Sequence, residues 1–276
     1  MSAKTKAAIA RIAVYAGAVF SMMVLLLIVG YILIKGIPHL SPELFQWKYN
    51  SVNVSLMPAL INTIFMTILA LAISVPLGIG AAIYLVEYAK RGSRLVKVVR
   101  ITAETLSGIP SIIYGLFGSL FFVVALDMGL SLISGALTLS IMVLPVIMRT
   151  TEEALIAVPD SFREGSFGLG AGRLRTTFRV VLPSAVPGIL SGVILAVGRI
   201  VGETAALIYT AGTVPEVVGS IFDSARTLSV HMYAISTEGL YVNQSYATAV
   251  VLLVIVIGIN SLSAFVAGRI GRKNYG

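Results

Sequence analysis

The chain has no cysteine, which excludes disulfides, thiolate metal sites and cysteine nucleophiles. Histidine is nearly as scarce. His39 and His231 have no neighbour at metal-ligand spacing, and both read as polar residues on external loops. There is a single tryptophan, Trp47. Charge is the most telling shortage: 12% of residues are charged, against about 25% in a soluble domain. No G-x-x-x-x-G-K-[ST] loop occurs, nor H-E-x-x-H, nor G-x-S-x-G. The chain therefore has no phosphate-cradling loop for ATP hydrolysis, no cofactor motif and no recognisable hydrolase centre of its own.

What is present is apolar. Hydrophobic residues make up 57% of the chain, and mean hydropathy is +0.96. This composition belongs to an integral membrane protein, all-α because only helices and closed barrels satisfy their backbone in lipid. A spanning helix needs roughly 20 apolar residues. Six stretches qualify: 12–34, 60–86, 105–126, 128–148, 187–211 and 245–267. They form one transmembrane domain over 1–276. The first follows Lys4, Lys6 and Arg11, and its 23 uncharged residues exceed a secretory core of about 7–15. No A-x-A site follows it, so it reads as an uncleaved span. The third and fourth are joined by little more than Asp127–Gly129, a tight hairpin. Pro76, Pro110 and Pro145 fall in or at the ends of spans, where they kink helices and free carbonyls.

The formal charge is +8. No nucleic-acid-reading module accompanies it, and the cations sit between apolar runs. The N-terminal tail, the loops near 90–100 and 149–179, and the C-terminal tail hold 16 Lys and Arg, while the opposite side holds Lys35, Lys48 and Arg226. This asymmetry places both termini and the 150–185 loop in the cytoplasm. Segments 36–57 and 213–243 then lie outside. Trp47 suits an interfacial anchor, and the second segment has room for a short re-entrant or amphipathic helix.

The 150–185 loop has its own pattern. Pro159-Asp160-Ser161 supplies a stop and a cap, with Asp160 or Ser161 placed to accept from free N–H groups. Glu164 falls in the first turn, where a carboxylate suits the helix dipole. Gly170 permits a sharp turn or a close backbone approach. Leu182-Pro183 ends the unit and begins the next span. Three residues separate Ser166 from Gly170, and nine separate Gly170 from Val180. Glu164-Gly165-Ser166, Gly170 and Val180-Val181-Leu182-Pro183 thus resemble the loop of ABC-importer permeases, whose pattern is Glu-Ala-Ala, three residues, Gly, nine residues, Ile, any, Leu-Pro. Gly165, Ser166 and Val180 depart from it, and Gly165 loosens a helix by ~1 kcal/mol relative to Ala. Basic solvated helix–turns are common, but this full spacing is not. The resemblance implies a type I ABC-importer permease whose coupling helix docks on an ATPase.

The fifth span contains Arg199 and Glu203, four residues apart and so on one helix face. A charge at mid-bilayer costs at least ~2.5–3.5 kcal/mol and marks a polar pathway by default. The alternative is a structural ion pair. A guanidinium fork suits phosphate oxygens. Hydrogen phosphate keeps a proton that it can donate to Glu203; sulfate cannot. Ser107-Gly108-Ile109-Pro110-Ser111 can break a helix and offer backbone to a pathway, or its small residues Gly108, Ser111 and Gly115 can serve close helix packing. Both readings stay open.

Arg199 to Ala205 resembles the Arg-x-x-Gly-Glu-Thr segment of phosphate-specific ABC permeases. Ser107 to Gly115 is similar to their third-span signature, and Thr227-Leu228-Ser229-Val230 to a stretch before their last span. The resemblance covers roughly 58–268, and Ala205-Ala206-Leu207 points to the second of two permease subunits. It implies a pathway through Arg199, Glu203, Thr204, Ser107 and Ser111. Coupling is implied through Glu164, Gly165, Ser166, Gly170, Leu182 and Pro183. The implied partners are a second permease subunit in a heterodimer, two copies of an ATP-binding subunit carrying ATP and Mg, and an extracytoplasmic phosphate-binding protein. The implied place is a bacterial or archaeal inner membrane. A permease for another anion such as phosphonate shares the loop but not the Arg199–Thr204 segment. An ion-coupled carrier would be expected to carry an inverted repeat, and none is visible. An intramembrane enzyme would need a nucleophile–base or metal constellation.

Overall fold

The computed structural model describes the backbone of residues 3–90 and 92–275 and most side chains between 10 and 262. Arg91 and the side chains of Lys4, Lys6, Arg269, Arg272 and Lys273 lie outside the described residues. Every regular element among those described is helical: α1 (Ala3–Gly36), α2 (Met57–Ile83), α3 (Arg94–Ser107), α4 (Ser111–Gly118), α5 (Leu132–Ile156), α6 (Asp160–Gly168), α7 (Arg173–Thr176), α8 (Leu182–Gly202), α9 (Ala205–Thr210), α10 (Leu228–Thr237) and α11 (Val242–Tyr275). Short 3₁₀ turns follow α1, and wide π turns extend α2 to Tyr88, extend α4 to Ala125 and join α7 to α8.

Among the described residues, five helical stretches are long and apolar enough to cross a membrane: Ala10–His39, Met57–Tyr88, Leu132–Ile156, Arg173–Gly202 and Val242–Leu262. The stretch 105–126, expected as one span, is instead the end of α3 followed by α4, bent by 102°. The cause is local. Pro110 has no N–H to donate and pushes Ile109 out of helical conformation, and Gly108 weakens the turn before it. Counted as one broken span, this pair gives the sixth crossing. Asp127 and Gly129 adopt positive φ of 52° and 64°, closing the hairpin to α5 as expected. Ser131 then caps α5, accepting from the Ser134 N–H at 3.3 Å.

The stretch 187–211 also differs from a single helix. The helix begins at Arg173, passes through Leu182 and Pro183, and stops at Gly202. Leu182-Pro183 therefore does not open the span. Proline is tolerated there because the preceding π turn already interrupts the regular ladder. Helix α5 runs on to Ile156, so the segment between the two long helices shrinks to 157–172, with α6 at its centre.

The core is a packed trio of α2, α5 and α8 built on Met66, Leu139, Met142, Ile147, Ala196 and Ile200, all buried. Hydroxyl groups at this depth need acceptors. Ser140 Oγ lies 2.6 Å from the Ala136 carbonyl on its own helix and 3.0 Å from that of Ala70 on α2. Thr63, Ser74 and Thr138 donate to carbonyls four residues back. Helix α1 stands apart. It packs against α11, and none of its most apolar window is buried.

At the end of the bundle opposite α6, the segment 211–227 folds back onto the helix ends. Asn62 Nδ2 donates to the carbonyls of Glu216 (2.7 Å) and Arg226 (3.3 Å), and its Oδ1 accepts from the Val218 N–H at 3.1 Å. His39 is exposed, as expected for a loop residue. His231 is not: it is fully buried on α10, in edge-to-face contact with Tyr49. Arg226, counted among the external cations, is buried too; its Nε donates to the Thr213 carbonyl at 2.7 Å and its guanidinium sits over the Tyr49 ring. The short helix for which this segment had room is α10, ten residues long, and His231 is one of its buried residues.

Candidate functional site

Two interruptions of helix lie near each other, each at the start of one of two packed helices, α4 and α9. One is 108–110 between α3 and α4; the other is Glu203-Thr204 between α8 and α9. Helices α4 and α9 pack so closely that a Cβ on Gly115 would lie 2.8 Å from the Ala206 Cα. Small residues at this crossing hold the two breaks together. Close packing and helix breaking, left as alternatives by the sequence, both occur here. The Leu106 carbonyl, whose regular helical donor would be the N–H that Pro110 lacks, accepts from the Ile109 N–H at 3.1 Å and from the buried Tyr114 hydroxyl at 2.8 Å.

Arg199 is half-buried in the last turn of α8, near enough to Tyr114 to act on it electrostatically. Glu203 is buried, but no longer on the helical face of Arg199. Its backbone is extended (φ −73°, ψ 130°), because α8 has ended at Gly202. The shared helix face expected of the two is accordingly lost, and the alternative, an i,i+4 ion pair, is not formed among the described residues. Instead Glu203 Oε1 accepts from the Ala206 N–H at 3.1 Å and caps α9. A carboxylate at a helix N-terminus is stabilised by the free N–H groups there. The Glu203 carbonyl accepts from Ser229 Oγ on α10.

Ser111 and Thr204 are half-buried beside their respective breaks. Ser107 is exposed and donates to the Glu104 carbonyl at 2.8 Å. It lines a cavity of about 510 Å³ that runs toward the α6 end between Glu104, Pro145, Arg149 and Glu152. The structure thus gathers Arg199, Glu203, Thr204 and Ser111 near the two breaks and sets Ser107 at the mouth below. Ser229 and Tyr114 belong to the site as well. Each lay in a stretch the sequence singled out, but no spacing rule tied either to Glu203 or to a broken helix.

Helix α6 forms the second site. Its N-cap is Pro159, and no side chain caps it; Asp160 lies in the first turn and Ser161 makes no capping bond. Asp160 instead faces Arg163 at 3.3 Å. Glu164 and Gly165 are exposed, and nothing surrounds the Gly165 Cα within Cβ reach. Ser166 Oγ lies 2.8 Å from Thr176 Oγ1, tying α6 to α7. Gly170 has φ +81°, the left-handed turn that reverses the chain after α6. Leu169, 91% exposed, leaves an apolar tip on this turn, with Phe162, Phe167 and Leu174 also exposed around α6. Leu182 and Pro183 are set well along the next helix, apart from that tip.

A bundle of membrane-crossing helices, two neighbouring helix breaks and a short helix presented on one face define a multi-pass membrane permease. Residues 74–273 match the family described as "Binding-protein-dependent transport system inner membrane component", and the chain belongs to that family. It is a permease component of an ABC importer. It is 36% identical over 226 residues to a probable ABC transporter permease, YqgI, of Bacillus subtilis, covering 76% of each chain. It is 32% identical over 250 residues to the phosphate transport system permease protein PstA of Haemophilus influenzae, covering 89% of this chain and 88% of that one. A PstC permease of Mesorhizobium japonicum is 31% identical over 258 residues, covering 83% and 78%. Among solved structures, a bacterial alginate ABC transporter in complex with an alginate-bound periplasmic protein aligns with TM-score 0.67 at 18% identity, covering 95% of this chain and 96% of that one. The MetNI methionine ABC transporter in inward-facing form aligns at 0.59 and 21%, covering 76% and 93%. At these identities the structural likeness speaks to fold alone.

Proposed function

We propose that this chain forms half of the translocation pathway of an importer for inorganic phosphate, driven by ATP hydrolysed on a separate subunit. The observation that carries this reading is Arg199 placed beside two neighbouring helix breaks, with the buried Glu203 carboxylate at one of them. Relatives named as phosphate transport permeases, up to 35% identical over three quarters of the chain, support the cargo. Similarity to PstA proteins slightly above that to PstC supports the second of two permease roles.

The guanidinium of Arg199 draws the anion to the breaks, where free backbone groups and the hydroxyls of Ser111 and Thr204 replace part of its water. Glu203 spends Oε1 on the Ala206 N–H and keeps Oε2 as an acceptor. Hydrogen phosphate can donate its proton to that oxygen. A fully ionised anion meets only repulsion there. This selects phosphate and keeps binding weak enough for release toward the cavity below Ser107.

A second permease completes the pathway as a heterodimer. Two copies of an ATP-binding subunit hold ATP and Mg, and α6 seats on one of them through Glu164, Gly165, Ser166, Gly170 and the apolar tip at Leu169. An extracytoplasmic phosphate-binding protein delivers cargo to the opposite face. The cation asymmetry supports both termini and α6 lying in the cytoplasm. The permease itself performs no chemistry.

The test is labelled-phosphate uptake by the whole complex in proteoliposomes. Arg199→Ala should cut uptake by roughly a hundredfold, the scale of losing a charge-assisted contact, while the complex still assembles. Undiminished uptake by that variant, or uptake that survives without ATP, would overturn the proposal.

A further inference from the structure

Arg163 makes the densest set of polar contacts on the α6 face of the molecule. Its Nε and Nη2 donate to Glu87 Oε1 at 3.1 and 2.7 Å. Nη2 also donates to the Leu155 carbonyl at 2.9 Å, and Nη1 to the Val158 carbonyl at 2.8 Å. Asp160 Oδ1 adds a longer contact at 3.3 Å, with the Asp160 side chain 70% exposed. The Arg163 and Glu87 side chains are only 15% and 8% exposed. One guanidinium therefore joins three elements: the π turn that ends the α2 span, the final turn of α5 with the segment just after it, and α6.

Among the described residues, the other links to the end of α2 run through α7 rather than from α6 itself: the Arg173 guanidinium sits over the Tyr88 ring, 5.9 Å from its centroid. Between α6 and the end of α2 lies a cavity of about 640 Å³, lined by Tyr88, Val96, Phe167 and Arg173 as well as by the Arg163–Glu87 pair itself. Side chains that could have packed α6 against α2 border open space instead. Helix α6 rests on residues 173–181 and is tied there by Ser166 and Thr176. The neighbouring pair Arg100–Glu152 fastens α3 to α5, not to α6. A planar fork bonded to a buried carboxylate and to two helix-end carbonyls has one geometry, since turning it would strand several buried acceptors. A surface ion pair would give no such constraint.

We propose that Arg163 is a positioning residue that locks the coupling helix to the ends of α2 and α5, so that displacement of α6 by the ATPase moves both spans as one body. This rests on the reading of α6 as the ATPase-docking helix. With the lock gone, α6 can still follow the ATPase through the short loop at its start, but α2 follows α6 only through the looser stacking of Arg173 on Tyr88. Hydrolysis then continues while transport falters.

The absence of cysteine from this chain permits a direct distance measurement. Ser161→Cys on α6 and Tyr84→Cys at the end of α2, both at exposed positions, would carry spin labels in the full complex, its other subunits stripped of cysteine. The labelled chain should give the same narrow distance distribution with and without a non-hydrolysable ATP analogue. Adding Arg163→Ala should broaden that distribution and make it shift with nucleotide. In the same vesicles, phosphate imported per ATP hydrolysed should drop by roughly tenfold or more in the variant, the scale expected of a misplaced element far from the chemistry. Glu87→Gln keeps the shape and one acceptor, should show a milder form of both effects, and gives the answer if the alanine variant does not assemble. A distribution equally narrow in the variants, or one that already shifts in the unsubstituted complex, overturns the lock. An unsubstituted complex that hydrolyses ATP but imports no phosphate overturns the cargo reading, and the distance measurement still decides the lock.

Discussion

The Glu203 carboxylate accepts a hydrogen bond from the Ala206 N–H, 3.1 Å away, and so caps the helix that its own departure from α8 creates. Residue and break are mutually dependent. Glutamine can keep the cap through its amide oxygen, but it cannot offer an anionic oxygen to a proton-bearing substrate. Glu203→Gln should therefore assemble normally and lose phosphate-over-sulfate discrimination by about tenfold or more, read from competed uptake in vesicles. Unchanged discrimination would leave Glu203 with a structural role only.

Gly115 tests the junction from the other side. Replacement by leucine sets a side chain against the Ala206 backbone, where a Cβ alone already comes to 2.8 Å. Overpacking of this kind costs roughly 1–3 kcal/mol. The variant should melt at lower temperature in detergent and transport poorly. Leucine at Gly165, where nothing lies within 4 Å, should leave the melting temperature unchanged.

On α6, Gly170→Val forces a β-branched residue into φ +81°. The left-handed conformation costs about 1–2 kcal/mol for an L-residue, confined to one exposed turn. Membrane insertion should persist while transport is lost, because the turn re-aims the Leu169 tip. Glu164→Lys, exposed and without a partner among the described residues, should do the same with no change in thermal stability. Co-purification of the ATPase distinguishes lost docking from lost insertion: both variants should reach the membrane and release the ATPase.

His231 gives a pH dependence. Burial, reinforced by the nearby Arg226 charge and only partly opposed by the Val54 backbone, holds the imidazole neutral and lowers its pKa from 6.5 to about 4. Between those values the unfolded chain binds a proton that the folded chain refuses. Stability is therefore complete above about 6.5 and falls as the pH drops toward 4, by up to about 3 kcal/mol. Thermal melts across this window should show the loss, and His231→Phe should flatten it. Edge-to-face contact with Tyr49 gives phenylalanine a ready place.

The long helices were legible because an uninterrupted apolar run has few alternatives in a bilayer. The hairpin at Asp127–Gly129 was equally plain, since both residues tolerate positive φ. Pro110 left a break at 108–110 open as one of two readings, but 105–126 still read as one span and the 102° bend was not legible. The break at Glu203 did not. No proline or turn pair marks it, and what ends α8 there is tertiary: the Ser229 hydroxyl on one side and the start of α9 on the other. For the same reason, counting four residues from Arg199 to Glu203 gave a shared helix face that the backbone does not support. His231 and Arg226 misled in another way. The segment had room for a short helix, but nothing in its spacing showed that His231 would face inward on it or that Arg226 would be buried beside Tyr49. The α6 pattern was legible as spacing, but the role of Arg163 lies in contacts to Glu87 that are 76 residues away in sequence.

Helix α1 touches the bundle mainly along α11, while the core trio closes without it. Its influence is one of parity. On the proposed topology, a helix added ahead of a core trio that packs without it decides the side of the membrane on which the chain's first residues emerge. A chain cut after α1 would keep the packed trio of α2, α5 and α8 and, on that topology, present its new N-terminus to the opposite compartment.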